Sequence, residues 1–263
     1  MDDVLDARQM KVPGLAVHVL ERCASTNTLL LAGEFAPPCL LAADEQTAGR
    51  GRRGRRWYST RGASATFSVA HLSRRPLREL VGLSLVAGVA AAQALRGLGA
   101  SRVGLKWPND LVVGDEKLGG ILVETRAAGG QKAGSTLVVI GIGINCREDA
   151  SLSGRVRRGV TSLERFMVRP PRGRVIAAVA MRLVRALARF EASGLEPARA
   201  EWEALDALAG QRMRVRLADG RVLSGVASGL AEDGALRLRT ARGLRTVHSA
   251  RVVAARPLIM RRT

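Results

Sequence analysis

Alternating or continuous apolar runs predict a series of β-strands along the first part of the chain. Residues 105–113 and 117–125 flank a turn at Gly114-Asp115, which predicts a hairpin. The predicted strands outside the hairpin are residues 14–20 (GLAVHVL), 39–43 (CLLAA), 66–72 (TFSVAHL) and 136–145 (TLVVIGIGIN). The last of these runs contains two glycines, which let another group approach the backbone closely.

Helical periodicity predicts three longer helices. Pro76 opens the first, because proline is favoured in a first turn, and Gly97 or Gly99 ends it. The third runs from Pro197 to Ala209 and is stopped by Gly210. The second has an apolar stripe at helical spacing, with Arg182, Arg185 and Arg189 on the opposite face. The members of this stripe are Val175, Ile176, Val179, Leu183, Val184, Leu187 and Phe190.

The pattern changes after Gly210 to short alternating strands. Asp219-Gly220, Asp233-Gly234 and Arg242-Gly243 mark turns between them. We therefore expect an α+β protein of two domains. Residues 1–210 form a larger domain of strands and helices, and residues 211–263 form a small C-terminal β-barrel.

Composition narrows the class of protein. The chain has 263 residues, 47% of them hydrophobic, yet no run of about 18 apolar residues that predicts a transmembrane helix. The acidic start MDDVLDARQM is not typical of a signal peptide. Cys23, Cys39 and Cys146 are odd in number and lack C-x-x-C spacing, which favours reduced thiols. We expect a cytoplasmic protein without membrane contact.

The net charge of +19 is carried almost wholly by arginine, since only four of the 42 basic residues are lysines. Such a charge attracts anionic partners, and arginine binds phosphate with two parallel hydrogen bonds. Codon bias in a GC-rich genome is an alternative explanation of the arginine content. The composition leaves both explanations open.

The loop TAGRGRRGRRW (47–57) has five arginines between Arg50 and Arg56. Gly49, Gly51 and Gly54 spell G-x-G-x-x-G, but no helix follows, and HLSRRPL stands where a dinucleotide site needs an acidic residue. No Gly-Lys-Ser/Thr follows either, which excludes a Walker loop. A nucleic-acid arm lacks a neighbouring recognition element. A flap that is disordered until it closes over an anion fits best, with a solvated charge run as the alternative.

Five strings in register resemble the biotin protein ligases: STN (25–27), EQTAGRGRRGRRW (45–57), KWPNDL (106–111), KLGGILVE (117–124) and GIGINC (141–146). The resemblance implies that residues 1–210 are a biotin- and ATP-binding catalytic domain, a class II synthetase-like mixed β-sheet packed with helices. It also implies that the barrel is SH3-like, in a short form without an N-terminal DNA-binding domain. It implies that biotin and ATP form biotinyl-5′-AMP and that biotin then passes to a lysine of the biotin carboxyl carrier protein of acetyl-CoA carboxylase. A lipoate-type ligase or acyltransferase of related fold, or a basic nucleic-acid-binding module, are the alternatives.

The resemblance also implies roles for individual residues. Arg52 and Lys117 screen the two reacting anions, and Asp110 orients or deprotonates the carrier lysine. Cys146 is a buried thiol, since the reaction needs no nucleophile on the enzyme. The implied biotin-binding residues are Ser25, Thr26, Asn27, Gln46, Arg50, Gly51, Arg52, Lys117 and Gly120. The implied ATP- or adenylate-binding residues are Arg50, Arg52, Arg53, Arg55, Trp57, Lys106, Asn109 and Asn145.

Mg²⁺ is expected with ATP on charge grounds, but the sequence does not indicate its ligands. A biotin carboxyl carrier domain is the expected partner, and no specific DNA is expected. The sequence leaves a homodimer open.

Overall fold

The computed structural model describes residues 3–128, 134–149, 159–168 and 171–256. Seven strands form one mixed sheet in the order β1-β2-β3-β7-β6-β5-β4. Only β1 and β2 pair in parallel, and all other neighbours are antiparallel. The strands are β1 Ala16–Cys23, β2 Cys39–Gln46, β3 Ser64–Ser73, β4 Gly104–Lys106, β5 Asp110–Val113, β6 Glu116–Ala127 and β7 Thr136–Asn145.

The helices of this domain are α1 Thr26–Ala32, α2 Leu83–Gly97, α3 Arg172–Ser193 and α4 Glu196–Glu203. The apolar stripe of α3 is buried as predicted, apart from the half-buried Val184, and its arginines 182, 185 and 189 are exposed. The core joins this stripe, α2 and one face of the sheet.

Among the predicted bounds that are wrong, three have a clear structural reason. Pro76 is extended, and α2 starts only at Leu83, because a 3-10 turn ends at Leu80, Val81 is extended and Gly82 adopts a left-handed φ of 91°. Helix α4 ends at Glu203 rather than Ala209, since Leu105 instead pairs with the backbone of Leu205 and Ala207. Residues 105–113 form two strands rather than one, with a turn at residues 107–109 between them.

The C-terminal sheet has five antiparallel strands in the order β11-β10-β9-β8-β12. Its three predicted turns are present, with glycines 220, 234 and 243 in left-handed conformation. The strands are β8 Arg212–Leu217, β9 Val222–Leu230, β10 Leu236–Thr240, β11 Gly243–Val247 and β12 Ala250–Arg256. The mixed sheet with helices and the separate small β-domain confirm the predicted fold class, while residues 257–263 lie outside the described residues.

Among the residues that the structure describes, one segment, Leu77–Gly97, is long and apolar enough to cross a membrane by length and composition. Within its most apolar window, 67% is buried inside the molecule, where α2 packs against α3 and α4. This burial is that of a core helix.

The C-terminal sheet contacts the larger domain through Trp107. This side chain is 4% exposed, and its Nε1 donates a hydrogen bond of 3.1 Å to the carbonyl of Gly234. The contact places the C-terminal sheet beside the turn that precedes β5.

Candidate active site

A cavity of about 840 Å³ opens between the larger sheet, the arginine loop and the C-terminal sheet. Every residue that the sequence assigned to biotin, adenylate or catalysis lines it. These are Ser25, Thr26, Asn27, Gln46, Arg50, Gly51, Arg52, Arg53, Arg55, Trp57, Lys106, Asn109, Asp110, Lys117, Gly120 and Asn145. The structure thus gathers five separate sequence strings into one site, although it does not test the role of each residue.

The start of α1 supplies one end of the cavity. Ser25 caps the helix, as its sequence predicts, by accepting a hydrogen bond from Thr28 N. The cap holds Thr26 and Asn27 in the first turn, where their side chains are buried. Thr26 N and Thr26 Oγ1 donate to Gln46 Oε1 at 2.7 and 3.0 Å.

This end of the cavity is short of hydrogen-bond donors. Thr26 Oγ1 also lies 2.6 Å from Ser68 Oγ, and Ser68 Oγ lies 2.6 Å from Asn27 Oδ1. The hydroxyls of Thr26 and Ser68 each donate one hydrogen. Only two hydrogens are therefore available for three contacts, which are those with Gln46 Oε1, between the two hydroxyls and with Asn27 Oδ1. We call Thr26, Asn27, Gln46 and Ser68 the acceptor cluster, and it is chemically suited to a ligand that brings N–H groups.

Two glycines of β7 are required by side chains that pack on them. A Cβ at Gly141 would lie 2.3 Å from Asn27 Oδ1, and a Cβ at Gly143 would lie 2.3 Å from the indole of Trp57. The expectation that these glycines allow close approach is confirmed. Trp57 Nε1 is buried and has no hydrogen-bond partner within the described part of the chain.

The arginine loop is held by contacts at several points. Arg50 and Arg56 form an isolated antiparallel bridge, and Arg56 donates to the carbonyl of Thr47. Arg53 has a left-handed φ of 57° and donates to Ser249 Oγ at 2.8 Å, which links the loop to the C-terminal domain. Closure of this loop on a ligand stays a prediction.

Arg52 lies at the centre of the loop and is half-buried. Burial lowers its pKa, the charges of Arg53 and Arg55 lower it further, and Asp110 acts in the opposite direction. Arginine stays protonated despite such a shift. An anion in the cavity would relieve the repulsion within this loop.

A β-bulge turns Lys117 toward the cavity. The β5–β6 register shifts so that Val112 opposes Lys117 and Leu111 opposes Gly119, which leaves Leu118 extra. Lys117 then shares a face with Gly120, where a Cβ would lie 3.0 Å from Lys117 Nζ. A β-bulge alone would explain why glycine occurs at positions 119 and 120. Here the bulge also positions Lys117.

The ammonium of Lys117 is held on several sides. Its Nζ lies 2.7 Å from Asp110 Oδ1 and 5.7 Å from the ring centroid of Trp57. Lys117 N donates to the carbonyl of Gly159, and Thr161 N donates to the carbonyl of Lys117. The β4–β5 register pairs Asp110 with Lys106. The ion pair at 2.7 Å, however, joins Asp110 to Lys117.

Two predicted adenylate ligands also have structural bonds. Asn109 Nδ2 donates to Ile121 O at 2.6 Å, which ties the turn to β6. Asn145 Nδ2 donates to Thr161 O at 3.0 Å and to Lys117 O at 3.4 Å. Their amide donors thus stabilise the wall of the cavity.

Cys146 is not available as a nucleophile. Its side chain is 2% exposed, and burial raises the pKa of the thiol to about 12. The prediction of a buried thiol is confirmed.

Sequence reasoning missed three contributors to the site. Ser68 belongs to a buried polar stripe with Ser64 and Thr66, opposite the apolar Ala65, Phe67 and Val69; this alternation was a readable signal. Glu124 contacts both Asn27 and Arg50. Strands β8 and β12 supply Arg216 and residues 250–253 to the cavity wall, and nothing in the sequence pattern indicated that.

Two family models match the chain. Residues 19–145 match the Biotin/lipoate A/B protein ligase family, and residues 209–253 match the Biotin protein ligase C terminal domain. The Bifunctional ligase/repressor BirA of Escherichia coli (strain K12) is 37% identical over 239 residues, which cover 89% of this chain and 73% of that protein. The Biotin--[acetyl-CoA-carboxylase] ligase of Paracoccus denitrificans is 33% identical over 245 residues, which cover 89% and 98%.

Solved structures agree with the sequence relatives. The biotin protein ligase from Aquifex aeolicus in complex with biotin and ATP is 26% identical, with a TM-score of 0.74 over 92% of this chain and 98% of that chain. A point mutant of the same ligase in complex with biotin gives a TM-score of 0.76 at 25% identity, again over 92% of this chain and 98% of that chain. From the matched models, the relatives and the shared fold, this chain belongs to the biotin protein ligase family.

Proposed function

We propose that the protein activates biotin with ATP to biotinyl-5′-AMP and pyrophosphate, and then transfers biotin to a lysine of a biotin carboxyl carrier domain. The observation that carries this proposal is that Lys117 and Arg52 line the same cavity as the three members of the acceptor cluster on α1 and β2, Thr26, Asn27 and Gln46. The arrangement offers one donor-poor end for a polar ring and a cationic region for two anions.

The acceptor cluster is the proposed site of the ureido ring of biotin. The ring brings two N–H groups and a carbonyl, and the cluster of Thr26, Asn27, Gln46 and Ser68 has more acceptor positions than hydrogens. A ligand that supplies the missing donors satisfies buried groups that otherwise share two hydrogens. Gly120 leaves room for Lys117 Nζ, which would lie 3.0 Å from a Cβ at this position, and Gly51 also lines the cavity.

Adenylation brings a carboxylate against the α-phosphate of ATP, so positive charge must lie between them. Lys117 is the fixed charge, because a strand, a bulge and Asp110 hold it. Arg50, Arg52, Arg53 and Arg55 add further positive charge from the glycine-containing loop.

Trp57 covers the nucleotide side of the proposed adenylate. Its indole N–H, which has no partner among the described residues, is a hydrogen-bond donor for the ligand. Lys106, Asn109 and Asn145 complete that side of the cavity.

In the transfer step the lysine amine of the carrier attacks the mixed anhydride and AMP leaves. Asp110 is the carboxylate that lines the cavity beside Lys117, so it is placed to accept a hydrogen bond from the incoming ammonium. Its proposed role is to orient that group and to remove its proton.

Mg²⁺ enters as part of the ATP substrate. Its protein ligands stay unassigned, because no three metal-binding side chains come together within the described ranges of the chain. The proposed site of the reaction is the cytoplasm, with a biotin carboxyl carrier rather than DNA or a membrane as the partner.

The proposal is tested with the full chain, Mg-ATP and a biotin carboxyl carrier domain. With biotin, intact mass spectrometry should show one biotinyl group on the carrier, and a carrier whose acceptor lysine is changed to arginine should stay unmodified. Lipoate with a lipoyl carrier domain is the matched control. Modification of that pair, and not of the biotin pair, would replace the proposal with a lipoate-type ligase.

A further inference from the structure

Glu124 on β6 joins the arginine loop to the acceptor cluster. Its two carboxylate oxygens lie 2.7 and 2.6 Å from Arg50 Nη2, and its Oε2 accepts from Asn27 Nδ2 at 2.9 Å. The Glu124 side chain is 25% exposed and that of Arg50 is 44% exposed. One carboxylate therefore contacts two residues that line the cavity, although it belongs to the groove behind the loop.

The geometry at Arg50 leaves most of the guanidinium available. Both oxygens of Glu124 contact the same nitrogen, Nη2 of Arg50. The other guanidinium nitrogens, Nη1 and Nε, make no hydrogen bond within the described residues. Arginine has five N–H donors in a fixed fork. Glu124 thus holds Arg50 in place and leaves donors for an anion.

The geometry at Asn27 fixes the orientation of its amide. Nδ2 donates to Glu124 and to the carbonyl of Leu122 at 3.3 Å, while Oδ1 accepts from Ser68. Reversal of the amide would place its oxygen against a carboxylate and a carbonyl. Glu124 therefore keeps Asn27 Oδ1 on the side of the acceptor cluster.

These contacts form a continuous hydrogen-bond network. From Arg50 it runs through Glu124, Asn27, Ser68 and Thr26 to Gln46. Gln46 ends β2 at the base of the same loop, where a Cβ at Gly49 would lie 2.9 Å from its Nε2. The network fixes the distance between the acceptor cluster and the first arginine of the loop.

We infer that Glu124 is a positioning residue of the ligase. It acts on adenylation through Arg50 and on recognition of the ureido ring through Asn27. The inference rests on the proposed function for the identity of the substrate. Two substitutions separate the effect on adenylation from the effect on ring recognition. Glu124→Gln keeps an oxygen acceptor for Asn27 but removes the charge that holds Arg50, whereas Glu124→Ala removes both.

The chain offers a matched control in Glu201. Its Oε1 accepts from Arg189 Nη2 at 2.9 Å and its Oε2 accepts from Gln93 Nε2 at 2.8 Å. Its side chain is 30% exposed, and it lies on α4 away from the cavity. Glu201→Gln therefore breaks the same kind of arginine–carboxylate–amide triad without touching the site.

The experiment has two readouts on the full chain. Pyrophosphate release with biotin and Mg-ATP measures adenylation, and calorimetry with biotinol measures ring recognition, because this alcohol analogue keeps the ureido ring and lacks the carboxylate. We expect Glu124→Gln to lower kcat/KM about tenfold, which is typical of a coupled pair, while biotinol affinity stays within about twofold. Glu124→Ala should lower both about tenfold.

A double-mutant test completes the design. In an Arg50→Gln background, Glu124→Gln should cause no further loss, because the residue through which it acts is gone. Glu201→Gln should change neither readout, and thermal unfolding reports the folded fraction of every variant. Wild-type-like kinetics of Glu124→Gln, an additive loss with Arg50→Gln, or equal loss of biotinol binding in Glu124→Gln and Glu124→Ala would each overturn the inference. Absence of pyrophosphate release by the wild type would instead contradict the proposed function.

Discussion

Lys117 Nζ lies 2.7 Å from Asp110 Oδ1, and the two side chains are only 18% and 14% exposed. Removal of either charge from such a buried ion pair is destabilising, because the remaining charge is then buried without compensation. The pair therefore places a fixed positive charge and a proton acceptor at the same point of the cavity.

Lys117→Ala is expected to slow pyrophosphate release by about 10² to 10³, the usual loss for one preorganised electrostatic group. Circular dichroism and thermal unfolding control for the loss of the ion pair with Asp110. Asp110→Asn is the companion variant, and it should impair transfer to the carrier more than adenylation. Near-normal pyrophosphate release by folded Lys117→Ala would remove the lysine from the chemistry.

Arg52→Gly should weaken retention of the adenylate more than binding of biotin. Arg52 meets the phosphate in the proposed complex, and one charge-assisted hydrogen bond contributes roughly 1.5–3 kcal/mol. Calorimetry with biotin and with a non-hydrolysable adenylate analogue measures both losses. Equal losses for the two ligands would argue against a phosphate contact.

Gly141→Ala and Gly143→Ala place the same methyl group two residues apart on β7, each 2.3 Å from a different side chain. The first displaces Asn27 and should weaken biotinol binding about tenfold or more, since it breaks the acceptor cluster. The second displaces Trp57 and should weaken adenylate binding while biotinol binding is largely kept. If the two variants give the same pattern, the division of the cavity into a ring end and a nucleotide end is wrong.

Asp206 predicts a pH dependence of stability. Burial raises its pKa, the hydrogen bond from Leu208 N lowers it and the charge of Glu203 raises it, and together they bring it from 3.8 to about 6. The folded state therefore binds the proton more tightly than the unfolded state, and this contribution is lost as pH rises from about 4 to 6. The loss is at most about 3 kcal/mol. The free energy of unfolding of Asp206→Asn, measured by urea titration at pH 4 and pH 7, should rise relative to wild type with pH; a constant difference would contradict it.

Most strands were predictable because each is a short apolar run between turn residues. Residues 136–145 form β7 with the predicted bounds, and the β5–β6 hairpin turns at Gly114-Asp115. The wrong predictions lie where residues distant in the sequence determine the conformation of the backbone. Gly82 packs against Leu195, and Leu205 pairs with Leu105, so neither the start of α2 nor the end of α4 follows from local propensity.

The residues of the cavity were predictable where they belong to short sequence motifs. They were not predictable where tertiary packing brings them to the site. The arginine loop and Lys117 carry unusual residue types at fixed spacing. Glu124 has no distinguishing feature in the sequence, because its role depends on the contact with Arg50 of the folded loop. The contribution of β12 depends on the docking of the C-terminal sheet, which the bond from Trp107 to Gly234 helps to fix.

We propose that one cavity activates biotin and passes it to a carrier lysine. The most direct measurement follows pyrophosphate and carrier mass together while the full chain turns over biotin, Mg-ATP and a carrier domain. We expect pyrophosphate release that depends on biotin and precedes the mass gain, and a carrier that gains one biotinyl group at its acceptor lysine. Release of pyrophosphate without biotin, or a carrier that stays unmodified while pyrophosphate accumulates with biotin, would contradict it.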